Sequence, residues 1–382
     1  MISLSKARIS MNTFLFTITL VVLQTSPTFA DSVTTLGAPG VQASSFEEGA
    51  LVNEITTEPC TLTNGTETDC YRIEVAGAPV GTKIGPFCPE KTDTTATDSG
   101  IWLDGSKIYD ADGQFILDLA TIYGDAKWKL YDETGKVAVT DTKEAFQGAA
   151  RPDVAEEYKY HCVEGTWDWT DTGKPVSTSI LVPVSPIKSD SVGSTESHGN
   201  LGVTLNGLII SAPAPVDAIL GAYTIAAFDD CGGHFNPIAG YHLHAYTNCE
   251  GTAYDSSIKD PNAETSLIGY AMDGVAVFAP LSHKSTIELD ECNGRTTEKD
   301  GYHYYAQSPE KNLVIKCTLG LTAIDASAQE GPPIRPAGVP SFVTPDNATW
   351  LIGELATTLV AAVASIWFVL KQRRKLATKN KN

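Results

Sequence analysis

A mainly β fold follows from three features of this 382-residue chain. Short apolar runs end repeatedly in Asp/Gly turns, the cysteines fall in matched pairs, and one motif occurs twice. Asp229-Asp-Cys-Gly-Gly-His234, five residues and Gly240-Tyr-His-Leu-His244 form the first copy. Asp290-Glu-Cys-Asn-Gly-Arg295, five residues and Gly301-Tyr-His-Tyr-Tyr305 form the second. Cys231 and Cys292, Gly240 and Gly301, and His242 and His303 are each 61 positions apart. Upstream, Gly202-Val-Thr-Leu-Asn-Gly207 and Gly269-Tyr-Ala-Met-Asp-Gly274 are 67 apart, which reads as one short deletion in the second copy. A repeat outranks other fold signals, because each copy is one supersecondary unit. The expected architecture is a duplicated β module with a pseudo-two-fold repeat, stapled by disulfides and preceded by a second β-rich domain. A C-terminal transmembrane helix completes it.

Residues 1–30 read as a secretory signal peptide. Lys6 and Arg8 precede the apolar run Phe14 to Leu23, and Thr28-Phe-Ala30 supplies small residues before Asp31. Residues 31–188 form the β-rich exported domain, with 31–50 small and polar. Ile101-Trp-Leu-Asp-Gly105, Ile108-Tyr-Asp-Ala-Asp-Gly113 and Lys129-Leu-Tyr-Asp-Glu-Thr-Gly135 each close an apolar run with a turn, the hairpin signal. The Asp110-Ala-Asp-Gly113 cluster lacks the acidic spacing and final Glu of a calcium loop, so it is read as a turn. Pro183, Pro186 and the polar stretch Ser189 to Ser197 mark a boundary.

The duplicated module follows over 198–320. Its Asn206-Gly207 and Asp273-Gly274 pairs predict two-residue type I′ hairpins, and Ala214 to Gly221 predicts a short helix. Residues 321–349 form a Pro-rich stalk. Residues 350–370 have the length of a membrane span, with Trp350 and Trp367 near its ends. The tail 371–382 opens on Lys371, Arg373, Arg374 and Lys375, which places it in the cytoplasm and the body outside the membrane. A cleaved C-terminal sorting signal has the same layout and stays open as an alternative.

The net charge of −19 repels phosphate backbones and argues against a nucleic-acid partner. Export and an even count favour disulfides among Cys60, Cys70, Cys88, Cys162, Cys231, Cys249, Cys292 and Cys317. Each repeat carries its own pair, so Cys231–Cys249 and Cys292–Cys317 are expected, with cross-repeat pairing the alternative. Asn64-Gly-Thr66 and Asn347-Ala-Thr349 are glycosylation sequons of use only in a eukaryotic secretory route.

The strings His198-Gly-Asn, Asp229-Asp-Cys-Gly-Gly-His234, Gly240-Tyr-His-Leu-His244, Gly269-Tyr-Ala-Met-Asp-Gly274, Leu289-Asp-Glu-Cys-Asn-Gly294 and Gly301-Tyr-His303 together resemble the YHYH-domain family. The resemblance covers about residues 200–320 and, less specifically, the region from Glu58 to Asp153. Two positions depart from the family's pattern, since Arg295 and Tyr305 stand where it usually has His. The resemblance implies a fold and a candidate site, and no particular reaction.

That site is a histidine cluster. His242 and His244 are two apart, so on a strand they share one face, which is half of a metal site. His234 comes from the preceding turn. His303 takes in the second copy the place of His242, and a two-fold pairing of the two strands would bring all four together. Copper or zinc is the cofactor such a set suggests. Three readings stand side by side: an envelope metal-binding protein, a metal-dependent hydrolase or oxidase using the same histidines, and a metal-free structural or adhesive ectodomain. In the last, aromatic and imidazole rings simply pack across a ladder, and Asp229, Asp230, Asp290 and Glu291 cap turns. No nucleotide-binding loop, serine elbow or His-Glu-x-x-His string occurs, so no nucleotide cofactor is expected and enzymatic activity stays undecided.

Overall fold

The computed structural model describes residues 34–150, 154–195, 199–236, 239–249 and 259–324. The signal peptide, most of the stalk, the membrane span and the basic tail expected from the sequence lie outside the described residues. Among the described residues no helix is long and apolar enough to cross a membrane.

The chain is mainly β. It begins with the hairpin β1 (Thr56–Thr61) and β2 (Glu67–Val75), then the short hairpin β3 (Ile101–Leu103) and β4 (Ile108–Asp110). Two helices follow, α1 (Gly113–Ile122) and α2 (Lys143–Ala149). Then come β5 (Cys162–Val163), β6 (Thr178–Pro183), β7 (Lys188–Ser194), β8 (Asn200–Thr204), β9 (Ile209–Ser211), α3 (Val216–Gly221) and β10 (Ile225–Ala226). The remainder is β11 (Gly233–Asn236), β12 (Gly240–Leu243), β13 (Leu267–Ala271), β14 (Ala276–Phe278), β15 (Gly294–Thr297), β16 (Gly301–Tyr305) and β17 (Cys317–Gly320).

The expected helix near Ala214 is α3. Helix α1 was not expected, because Asp110 to Gly113 was read as closing a hairpin. Asp112 instead accepts from the Phe115 N–H at 2.8 Å and caps the helix, whose Phe115, Ile116 and Leu119 are buried. The Asp-Gly turn of that region lies one step earlier, between β3 and β4, where Asp104 accepts from the N–H groups of Ser106 and Lys107.

The central sheet has eight strands in the order β11-β12-β9-β8-β13-β14-β16-β15. In the middle, β8 and β13 run antiparallel, with Val203 opposite Tyr270, Gly202 opposite Ala271 and Thr204 opposite Gly269. Outward from them β9 and β14 each pair in parallel with a hairpin strand, β12 on one side and β16 on the other. The connections from β8 to β9 and from β13 to β14 are not type I′. Only Gly207 (φ +93°) and Gly274 (φ +82°) are left-handed, while Asn206 and Asp273 are not. The bonds Thr204 N–H to Leu208 O and Ala271 N–H to Val275 O enclose three-residue loops ending on that glycine. This is the bulged hairpin that one left-handed glycine allows.

A three-stranded sheet, β1-β2-β6, covers one face of the eight-stranded sheet. Ile73, Val75, Ile180 and Val182 pack there on Val203, Tyr270, Phe278 and Tyr305. The other face is covered by the segment from Val314 to Cys317, which packs on Ile210, Ala271, Val277, Tyr302 and Tyr304. Each such fully buried aliphatic side chain contributes about 1.5–3 kcal/mol. The described residues from Thr35 to Ile324 form one compact unit. β5 pairs with β10, β7 with β17, and Ile101 exchanges backbone bonds with Phe228 at 2.7 and 2.9 Å.

Four disulfides tie this unit: Cys60–Cys70, Cys88–Cys162, Cys231–Cys249 and Cys292–Cys317. The last two are the local pairings expected from the repeat, and no cysteine is free.

Candidate metal centre

The site is a hairpin built on one carboxylate. Asp229 is buried and accepts from the N–H groups of Cys231 and Gly233 at 3.1 Å, from Gly85 N–H at 3.1 Å and from the Tyr241 hydroxyl at 2.7 Å. These bonds fold the Asp-Asp-Cys-Gly-Gly turn and clamp it to β12. Burial pushes the Asp229 carboxyl up from its ordinary range, and the four donors only partly offset this. Gly233 is obligatory, since a Cβ there would lie 2.3 Å from the Tyr241 hydroxyl.

With the turn fixed, β11 and β12 pair antiparallel and His234 lies directly opposite His242. His244, two residues further on, shares the face of His242. Its N–H still bonds the Gly232 carbonyl at 3.0 Å, so the turn holds it. The three rings meet edge to face, with centroids 4.7 to 4.9 Å apart. His244 Nε2 is 3.0 Å from His242 Nε2 and 3.0 Å from His234 Nε2. All three ligand nitrogens lie within 4.8 Å of one another. Nitrogens bound to one ion at about 2.0–2.1 Å with angles between square and tetrahedral would be about 2.8–3.4 Å apart, and the two separations from His244 Nε2 fall in that range.

Phe228 was not singled out from the sequence. Its ring stacks on His234 at 4.8 Å and meets the His244 ring edge-on at 5.6 Å. Trp102 stacks behind it at 6.2 Å. The segment that precedes the repeats thus backs the apolar wall of the histidine site, through Trp102 and an Ile101–Phe228 backbone pairing that no local sequence signal announces.

Burial pushes the His242 imidazole down to about 4. His244 and His234 are also held well below the usual imidazole range, first by burial and then by the neighbouring rings. His234 keeps some solvent access, while His242 and His244 are buried. At neutral pH all three rings are uncharged and able to ligate.

The protons of this trio leave one of its two nitrogen–nitrogen contacts unmatched. His242 Nδ1 faces the Gly240 carbonyl at 3.0 Å and carries the ring proton to donate there, which leaves Nε2 a bare acceptor. His244 Nε2 stands between two other Nε2 atoms, and one N–H can serve only one of them. If it donates to His242, it cannot accept from His234; if it accepts from His234, two lone pairs face each other at His242. His244 Nδ1 is buried and turned toward the Ala212 backbone without reaching hydrogen-bond geometry. A single ion at the centre would satisfy all three lone pairs.

His303 does not join this set. It lies on β16, near the opposite end of the sheet, five strand spacings from β12 or about 24 Å along a flat sheet. The strands that pair across the middle are β8 and β13, not the two histidine strands, and this separates the copies. Around His303 the same register is filled differently. Arg295 is opposite it on β15 and Tyr305 is two residues on. His303 Nδ1 bonds the Gly301 carbonyl at 3.0 Å, its Nε2 is 3.1 Å from the Tyr305 hydroxyl, and Arg295 Nε donates to that hydroxyl at 2.9 Å. Glu264 closes the group by accepting from both Arg295 and Tyr305. Burial would raise the Glu264 carboxyl, but the bonds from Tyr305 and Arg295 outweigh it and hold the group ionised. Asp290 repeats the role of Asp229, accepting from Cys292 and Gly294 N–H and from the Tyr302 hydroxyl at 2.8 to 2.9 Å. Asp229 and Asp290 therefore do organise turns.

A family model described as YHYH protein matches residues 179–288. The chain carries a YHYH domain. The match begins in β6, takes in the three clustered histidines and ends before β15, so it leaves out His303. No curated protein and no solved structure matches the chain.

Proposed function

We propose that the YHYH domain binds one copper or zinc ion through His234, His242 and His244. The chain acts as an exported protein held in the membrane by residues 350–370, with its body outside, and the two ends of its sheet descend from one duplicated unit. What supports the metal reading above all is the meeting of three uncharged imidazoles nitrogen to nitrogen, two of them buried, an arrangement whose protons leave one contact unmatched that a cation would satisfy. Three histidine ligands leave a further coordination position for water or an incoming group. The bond from His242 Nδ1 to Gly240 O is the outer contact that orients a ligating imidazole. The reciprocal pairing of β8 with β13 and the matching Asp229 and Asp290 turns support the duplication.

The test is His242→Gln with His244→Gln. Gln keeps hydrogen-bonding capacity and similar bulk but ligates these metals poorly. Metal content should fall below about a tenth of the wild-type value, with the four disulfides and the far-UV circular dichroism retained. Retained metal in this variant would refute the assignment.

A further inference from the structure

The geometry points to Cys231–Cys249 as a reducible disulfide, opened by a small dithiol, that governs how tightly the histidine centre is held. Its effect on metal rests on the metal reading above; the chemistry of the bridge does not.

Three observations single the bridge out. Of the eight cysteines Cys249 alone is exposed, while the other seven are buried. A cavity of about 210 Å³ opens beside the bridge and is lined by both its cysteines, with Tyr241, Leu243, Thr204 and Glu47. Asn248 and Cys249 are both left-handed, at φ +57° and +56°, two successive side-chain-bearing residues in a region that favours glycine. Opening the bridge lets them relax.

A thiolate of the dithiol attacks Cys249 Sγ, the accessible sulfur, forms a mixed disulfide and expels Cys231 as the thiolate. The second thiol of the reagent then displaces Cys249 Sγ. The dithiol leaves as a cyclic disulfide, and its two electrons and two protons reside on Cys231 and Cys249 as thiols.

The consequence follows from topology. The bridge closes an 18-residue separation that contains His234, His242 and His244. The hairpin it spans is the edge of the sheet, since β12 pairs with β9 only through Leu243 opposite Ile210. With so little ladder beyond it, the bridge is the main covalent hold on the ligand set. Tyr241 and Leu243, which line the cavity, alternate with His242 and His244 on β12, so the freed thiols face away from the imidazoles. Reduction therefore loosens the centre and adds no ligand.

The experiment uses the full chain, metal-free and untagged. It is treated with graded dithiothreitol, alkylated with iodoacetamide, freed of reagent and mapped by mass spectrometry; zinc affinity is then measured against a chelating dye. Cys231 and Cys249 should be alkylated first while the other six cysteines stay bridged. Zinc affinity of this product should be at least about 10-fold weaker than that of the oxidised protein. The variant Cys231→Ser with Cys249→Ser should match it. Another bridge opening first would overturn the site. Selective alkylation with unchanged or tighter zinc binding would overturn the control of the centre. If the oxidised chain binds no zinc, the metal reading fails, and the order of alkylation still decides the reducible bridge.

Discussion

At one end of the eight-stranded sheet three imidazoles face one another; at the other, the same register positions carry Arg295, His303 and Tyr305. Both hairpins are folded by an aspartate that gathers two backbone N–H groups and a tyrosine hydroxyl. Both place the first histidine of the strand with Nδ1 on the carbonyl two residues back. The difference lies in charge. The second end contains its own cation, because guanidinium stays protonated, and its own counter-ion in Glu264, so its polar atoms are mutually satisfied. The first end has neither, and one of its two nitrogen–nitrogen contacts has no proton to bridge it. One scaffold thus carries an ion-pair cluster at one end and a tri-imidazole cluster at the other.

Removing the organising carboxylates separates the two ends most strongly. Asp229 is buried with four donors, whereas Asp290 is exposed and water can replace it. Asp229→Ala should cost about 4 kcal/mol and Asp290→Ala about 1 kcal/mol, read by urea denaturation of the metal-free protein. Equal costs would break the comparison.

Acid should act on the open end next. The His242 imidazole is depressed to about 4 in the folded chain, against about 6.5 when unfolded. Between those values the unfolded state binds the extra proton, so stability is full above about pH 6.5 and falls toward pH 4. This ring alone should remove on the order of 3 kcal/mol across that window, and His242→Gln should make the profile shallower by that amount, with His234 and His244 supplying the rest. A profile unchanged by the substitution would show that the imidazole is not buried as described.

Converting one end into the other sharpens the comparison. Arg295→His with Tyr305→His puts imidazoles at the register positions of His234 and His244 beside His303. Zinc stoichiometry by calorimetry should rise by about one ion per chain. An effect as small as that of Asp290→Ala belongs to Tyr241→Phe, which removes a single 2.7 Å bond to Asp229 and should cost about 1 kcal/mol.

Much of this was legible in the residues. Strand period two puts His242 and His244 on one face, and the repeat pairs Cys231 with Cys249 and Cys292 with Cys317. The three-histidine set needed only the local hairpin. What was not legible depended on how distant segments meet. The pairing of Gly202–Thr204 with Gly269–Ala271 holds His303 away from the cluster, and no spacing in the sequence chooses those strands over the histidine strands. Phe228 reaches the site because Ile101 holds its backbone. Glu264 sits on a segment that neither repeat contains. Helix α1 did leave a signal, since Asp112 precedes apolar residues at 115, 116 and 119, and the turn reading of Asp110 to Gly113 concealed it.

X-ray absorption on the untagged chain loaded with one equivalent of zinc tests the central claim most directly. The account predicts a shell of three imidazole nitrogens at about 2.0–2.1 Å, lost in the double Gln variant. A fully hydrated ion, or the same spectrum from wild type and variant, would contradict it.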